Sequence, residues 1–214
     1  MPLPIAHGAV GLAVYFVWGQ NKLEKSPRVK KVTLALLLVV LSIAPDLDFI
    51  PGLLLDEPNK FHHGISHSLI IALIGAVALF LLLRKYYIEL ETFRLFIVLL
   101  VVLGSHTILD IFSVDTSSPF GVPLLWPFSQ EYFISPYSLF PDVIRSKEST
   151  SAFITSLWNT HNLQAAGLEV LFACAVLLMV LAKQWSSVKW KFWLFTGLSF
   201  TCIPLFMLLG MAVI

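Results

Sequence analysis

Charge is scarce in this chain: Asp, Glu, Lys and Arg make up 13% of its 214 residues, against 57% hydrophobic. The mean hydropathy of +0.85 lies outside the range of soluble globular chains, because a core that large has too little polar surface to cover it. A helical bundle in a bilayer needs no polar coat around its waist. A net charge of +1 gives no reason to expect nucleic acid as a partner. Cysteine is nearly missing as well. Cys174 and Cys202 each sit inside a long apolar run, where a thiol behaves as a small hydrophobe, which excludes a disulfide framework and a thiolate metal site. The stretch Met1-Pro2-Leu3-Pro4-Ile5-Ala6-His7 has no basic n-region, so the apolar run after it is expected to be kept as a helix.

Apolar runs long enough for a hydrocarbon core of about 30 Å occur at Leu3 to Gly19, Val32 to Ile50, Ser66 to Leu83, Phe93 to Val114, Ala165 to Ala182 and Trp190 to Ile214. The sequence therefore predicts an all-α polytopic transmembrane bundle of about six helices in one membrane domain, residues 1–214. A long interfacial loop, 115–164, separates spans four and five. The first span is short, and Pro204 is expected to kink the last.

The positive residues are distributed unevenly. Lys22, Lys25, Arg28, Lys30 and Lys31 follow the first span; Arg84, Lys85 and Arg94 follow the third; Lys183, Lys189 and Lys191 follow the fifth. Lys60, Arg145 and Lys147 are all that the other connections hold of the 14 Lys and Arg residues. Positive residues are retained on the cytoplasmic side, so both termini are expected on the non-cytoplasmic side of a prokaryotic inner membrane. On that map all six histidines fall toward the non-cytoplasmic end, His161 at the close of the long loop.

In the fourth span His106 and Asp110 are four residues apart, on one face of a helix. An ionised carboxylate inside a bilayer costs about 2.5–3.5 kcal/mol and so faces the bundle interior with a partner; the plain alternative is an Asp110–His106 hydrogen bond. Ala44-Pro45-Asp46-Leu47-Asp48 is expected to end the second span, since proline restricts the residue before it. Its two carboxylates either face water or share a cation. Phe61-His62-His63-Gly64-Ile65-Ser66-His67-Ser68 carries three imidazoles, suited to zinc or a similar ion, with Ser66 or Ser68 as a cap for the third span. The long loop holds Phe120, Trp126, Phe128, Tyr132, Phe133, Tyr137, Phe140 and Trp158. Such aromatics favour the headgroup region, so the loop is expected to lie along the membrane surface over the polar site, as a lid or as an anchor.

With Pro45-Asp46-Leu47-Asp48, His62-His63-Gly64-Ile65-Ser66-His67-Ser68, His106-Thr107-Ile108-Leu109-Asp110 and Leu125-Trp126-Pro127-Phe128 in view, residues 1–130 resemble the LexA-binding, inner-membrane-associated metal-dependent hydrolases. That family commonly has Arg where this chain has His63, which leaves His63 outside the ligand set the resemblance implies. The order of His7, Asp48, His62, His106 and Asp110 is also similar to part of the ligand order of zinc-dependent phospholipases C. No glutamate follows His161 at the spacing those enzymes use for a third ion, so one or two ions are implied.

The functional expectation is a membrane-embedded metal-dependent hydrolase. His62, His106, Asp110 and one of Asp46 or Asp48 hold a zinc-like divalent ion, His7 and His67 complete it or hold a second, and the spare aspartate of the 46–48 pair takes a proton. Membrane lipid is the expected partner, with a phospholipid or lipid-linked phosphoester as substrate. The rivals are a metal or proton transporter, which needs polar residues through the full depth; a phosphohistidine phosphatase, which needs arginines to clamp phosphate; and a non-catalytic protein with a structural metal.

Overall fold

The structure, a computed structural model, describes residues 2–19, 23–88, 91–116, 118–184, 190–191, 193–194 and 196–199. It is an all-helical membrane bundle. Among the described residues there is no strand, only isolated bridges at Ser113–Phe140 and Val122–Phe133. Helix α1 (Pro4–Val14) runs on through a π-helical turn to Gly19, and α2 (Arg28–Ile43) continues through a 3-10 turn, Ala44–Asp48, into α3 (Phe49–Leu54). Then come α4 (Leu69–Leu83), α5 (Thr92–Ile111), the short α6 (Thr150–Ser156) and α7 (Thr160–Gln184). Three helical stretches, Arg28–Leu54, Thr92–Ile111 and Thr160–Gln184, are long and apolar enough to cross a membrane; Pro4–Gly19 and Leu69–Leu83 are apolar but shorter. The sixth expected span, with Pro204, lies for the most part outside the described residues.

The α-helix ends at Ile43, as Pro45 implies, but the residue before the proline is not extended: Ala44 keeps helical angles (φ −56°, ψ −35°), and the chain tightens into a 3-10 turn. Proline fixes a φ that helices share and removes only one donor, which a short 3-10 turn tolerates. The third helix starts at Leu69 and not Ser66. Ser68 is the cap, its hydroxyl accepting from Ile70 N at 3.1 Å, while Ser66 is drawn away by Asp48. The fifth span begins at Thr160, which moves His161 from the loop into the first turn of α7.

Two seams hold the bundle. Helix α1 lies against α2 so closely that a Cβ on Gly11 would stand 2.5 Å from the Leu38 carbonyl oxygen; only glycine fits there. Toward the end that carries the basic residues, Leu34, Leu38, Leu95, Val98, Leu99 and Val102 form an apolar core. The outward faces stay apolar too: Leu36, Val40, Ile74 and Leu82 are each more than half exposed, as lipid-facing side chains are in a bundle.

Helix α1 begins, α2 ends, α4 begins, α5 ends and α7 begins at the opposite end from the basic turns. There α7 reaches across to α1: the carboxylate of Glu169, 1% exposed, accepts the backbone N–H groups of Ala6, at 2.9 Å, and of Leu3. Helix α1 has no capping side chain of its own, so the α7 carboxylate satisfies N–H groups that the first turn leaves open. His7 is the next residue.

The loop between α5 and α7 folds over this end. Val122 and Phe133 exchange both backbone hydrogen bonds, at 2.9 and 3.0 Å. Gly121, at φ +90°, makes that pairing possible, because a Cβ there would lie 2.2 Å from the Phe133 carbonyl oxygen. Leu69 N donates to Leu124 O at 3.0 Å, and Ser68 Oγ to Trp126 O at 2.7 Å. Phe128, Tyr137 and Trp158 point outward, each about four-fifths exposed, which suits an interfacial surface.

Candidate metal centre

The helix ends bring together residues from four separate parts of the chain. His7 comes from α1, Asp46 and Asp48 from the 3-10 turn after α2, His62, His63 and His67 from the segment before α4, and His106 and Asp110 from α5. His7, His67 and His106 are fully buried, and Asp110 is 2% exposed.

At the centre four ligand atoms face one another. His106 Nε2 lies 3.2 Å from His67 Nε2, 3.4 Å from Asp46 Oδ1 and 3.3 Å from Asp110 Oδ2. His67 Nε2 lies 3.7 Å from Asp46 Oδ1 and 3.3 Å from Asp110 Oδ2. Donors about 2.0–2.1 Å from a tetrahedral zinc ion stand about 3.3–3.4 Å from each other, and the two triplets that share His67 and His106, one closed by Asp46 and the other by Asp110, have spacings close to this. The donor set, two imidazoles and two carboxylates, also suits a first-row divalent ion.

The groups behind the cluster orient it. His106 Nδ1 is 2.8 Å from the Ser42 carbonyl, which can only accept, so Nδ1 bears the hydrogen and Nε2 turns to the centre. His67 does the same through Nδ1, 3.2 Å from Asp48 Oδ2. Partners of this kind fix the ring and its tautomer at histidine metal ligands. Asp48 in turn accepts from Ser66 Oγ at 2.8 Å and from His62 Nδ1 at 3.0 Å. With His62 and His67 it makes a second compact group nearer the surface.

His7 stacks on His106 with ring centroids 3.9 Å apart, and its Nε2 is 3.5 Å from Asp110 Oδ1. Neither ring nitrogen of His7, neither oxygen of Asp110, nor Oδ1 of Asp46 makes a hydrogen bond of good geometry. Buried carboxylates are costly unless paired. Among the described residues no Lys or Arg forms an ion pair with any of them; the cluster has the donors for a cation and lacks the positive charge.

His62 and His67 respond in opposite directions. Burial holds His62 down to about 3, despite its bond to Asp48. Burial also acts against charge on His67, but the nearby carboxylates of Asp46, Asp48 and Asp110 outweigh it and push His67 up to about 10. A proton there offsets part of the negative charge of the buried carboxylates.

All seven sequence-predicted site residues, His7, Asp46, Asp48, His62, His67, His106 and Asp110, thus gather at one end. Asp48 and His62 lie one layer out from the four central atoms. The structure adds His63 and Asp115, 3.4 Å apart, with His63 also grouped with His67 and Asp110. His63 adopts φ +56°, a left-handed conformation that histidine enters more readily than most residues. His161 is elsewhere, its Nε2 donating to the Asp142 carbonyl at 2.9 Å.

A cavity of about 690 Å³ opens onto the outer layer, where Asp48, His62, His63 and Asp115 meet Lys60, Arg145 and Lys147. Arg145 holds its guanidinium 5.3 Å from the centre of the Phe49 ring, and burial lowers its pKa from the usual arginine value.

Apolar helices around a buried His/Asp cluster at one end define a polytopic membrane protein with a candidate metal centre. Residues 1–186 match the sequence profile of the YdjM inner membrane protein family, and the chain belongs to that family. A curated relative, the inner membrane protein YbcI of Escherichia coli strain K12, is 32% identical over 141 residues, covering 65% of this chain and 75% of that protein. No solved structure matches the chain. Family and relative alike make this an inner membrane protein, and their descriptions carry no reaction and no mention of LexA.

Proposed function

We propose that this inner membrane protein is a metal-dependent hydrolase whose site faces the non-cytoplasmic surface and acts on a phospholipid or lipid-linked phosphoester. The observation that carries the reading is the pair of three-atom sets built on His67 Nε2 and His106 Nε2, one closed by Asp46 Oδ1 and the other by Asp110 Oδ2, with spacings of 3.2–3.7 Å, beneath a cavity lined in part by Lys60, Arg145 and Lys147. Those four side chains would hold one zinc-like ion, and His7 would complete its surroundings through Asp110. A bound ion of this kind lowers the pKa of a water molecule toward neutrality and offsets negative charge on a phosphoryl group.

The chain's own residues do the rest. Asp48, on the cavity wall and hydrogen-bonded to His62, is placed to accept a proton, and the Asp48–His67 bond keeps His67 Nε2 aimed inward. Lys60, Lys147 and Arg145 favour an anionic substrate, and the aromatic roof limits water. Transport is less well supported: apart from Ser199, the buried polar side chains of the described residues gather at the site end, and the basic half of α2 and α5 is packed with Leu and Val. A structural metal is the second reading, favoured by the enclosure of His67, His106 and Asp110, since closed four-donor sites are the structural type.

Elemental analysis of the purified protein tests the proposal. Wild type is expected to carry at least one stoichiometric transition metal ion, and His106→Ala to lose it. A metal-free wild type sinks the hydrolase. Chelation separates the two metal readings: a catalytic ion leaves the melting temperature within a few degrees while phosphoesterase turnover stops, whereas a structural ion lowers the melting temperature.

A further inference from the structure

Arg145 lies where two unlike cavities meet. On one side is the polar cavity beside Asp48 and His62; on the other is an apolar groove of about 320 Å³. Apart from Asp46 and Arg145, the groove is walled by apolar residues, among them Ile43, Leu47, Phe49, Phe153 and Leu157. The His/Asp cluster reaches both, with Asp46 on the groove and Asp48 on the polar cavity.

The guanidinium is held in place from the side. It stands over the Phe49 ring, which also stacks on His62 with centroids 3.8 Å apart and packs on Phe153. Among the described residues it has no carboxylate at ion-pair distance, so its fork of donors is available to an oxyanion. A groove that takes hydrocarbon and a cation at its edge together match one kind of molecule, an amphiphile with an anionic head.

We infer that Arg145 reads the headgroup anion of a lipid whose hydrocarbon chain lies in the groove lined by Ile43, Leu47, Phe49, Phe153 and Leu157. This rests on the proposed function for the role of the bound lipid as substrate; recognition itself does not require the ion. The chain fixes the molecule along the groove, Arg145 sets how far the head advances, and the headgroup ester is brought to the Asp46–Asp48 edge of the cluster. Free phosphate, lacking the chain, would use only half of the site.

A long-chain alkyl phosphate carrying a diazirine in its chain tests this on the full-length protein in nanodiscs of neutral lipid, with chelator present. Crosslinks mapped by mass spectrometry are expected at Phe49, Phe153 and Leu157. Unlabelled alkyl phosphate should displace them; inorganic phosphate or the matching long-chain alcohol at the same concentration should do so at least tenfold less well. Arg145→Gln is expected to cut the groove crosslinks at least tenfold, and Leu157→Trp, which fills the groove, to do the same while leaving metal content unchanged.

Crosslinks spread over the lipid-facing surface of α4, or groove crosslinks that persist in both variants, overturn the inference, as does equal competition by phosphate or alcohol. Arg145-dependent groove labelling in a protein that purifies without metal upholds the lipid site and removes the hydrolase. Metal in the protein with no groove labelling does the reverse.

Discussion

At the scale of single residues, the site is a balance between carboxylates and too few protons. Asp110 supplies the most enclosed carboxylate, so Asp110→Asn is expected to abolish stoichiometric metal. Asp48→Asn removes an orienting partner of His67 and should weaken affinity about 10–100-fold; competition with a metallochromic chelator would read both. The proton on His67 gives a further outcome with a definite sign. The folded metal-free protein keeps that proton up to about pH 10, so an ion entering at pH 7.5 displaces it, and titration calorimetry in buffers of different ionisation enthalpy should show proton release. His62 acts the other way. Its pKa is lowered to about 3 while an unfolded histidine titrates near 6.5, so its contribution to stability is full above about pH 6.5 and is lost as pH falls toward 3.

Much of this layer was legible in the sequence. His106 and Asp110 declare themselves by helical spacing, and Asp46, Asp48 and the histidine run stand out in a chain with so few polar residues. His63 and Asp115 were not legible: their proximity depends on a left-handed backbone at His63 and on the loop returning under the roof, and neither leaves a pattern in the residue order. Glu169 was missed, although a lone acid inside an apolar run signals a buried partner; its partners, backbone N–H groups 163 and 166 positions away, have no side-chain signature to find.

Among the elements, α1 depends most on its neighbours. It has no cap of its own, and Glu169 of α7 stands in for one. Glu169→Ala is expected to cost about 1–3 kcal/mol, seen as a lower melting temperature in detergent, and to loosen His7 and so weaken metal retention. Glu169→Gln, which keeps an acceptor oxygen, should recover part of both. On the other side of α1, Gly11→Leu would force the helix off α2 and is expected to destabilise more than either. The first five apolar spans were read correctly as helices because hydropathy alone reveals them, but not all of their ends were. Pro45 looks like a terminator by local rules, yet the chain keeps turning there, and that tight 3-10 turn is what presents Asp46 and Asp48 to the two sides of the cluster.

For the whole molecule, the basic residues at one end and the His/Asp cluster at the other give the protein a polarity that can be measured. Cysteines at Tyr137 and Lys25 in a cysteine-free background should react with a membrane-impermeant maleimide from opposite sides: position 137 from outside the cell membrane, position 25 only after permeabilisation. Labelling of position 137 from the cytoplasm would place the site on the other face and remove the reason for an outer-leaflet substrate.

The roof is fastened at the base of α4, with the Ser68 hydroxyl and the Leu69 amide gripping the Trp126 and Leu124 carbonyls, one and two positions beyond His67. The cover and the helix start are thus tied at one point, and a shift of the 124–126 segment would be passed along the backbone to the neighbouring imidazole.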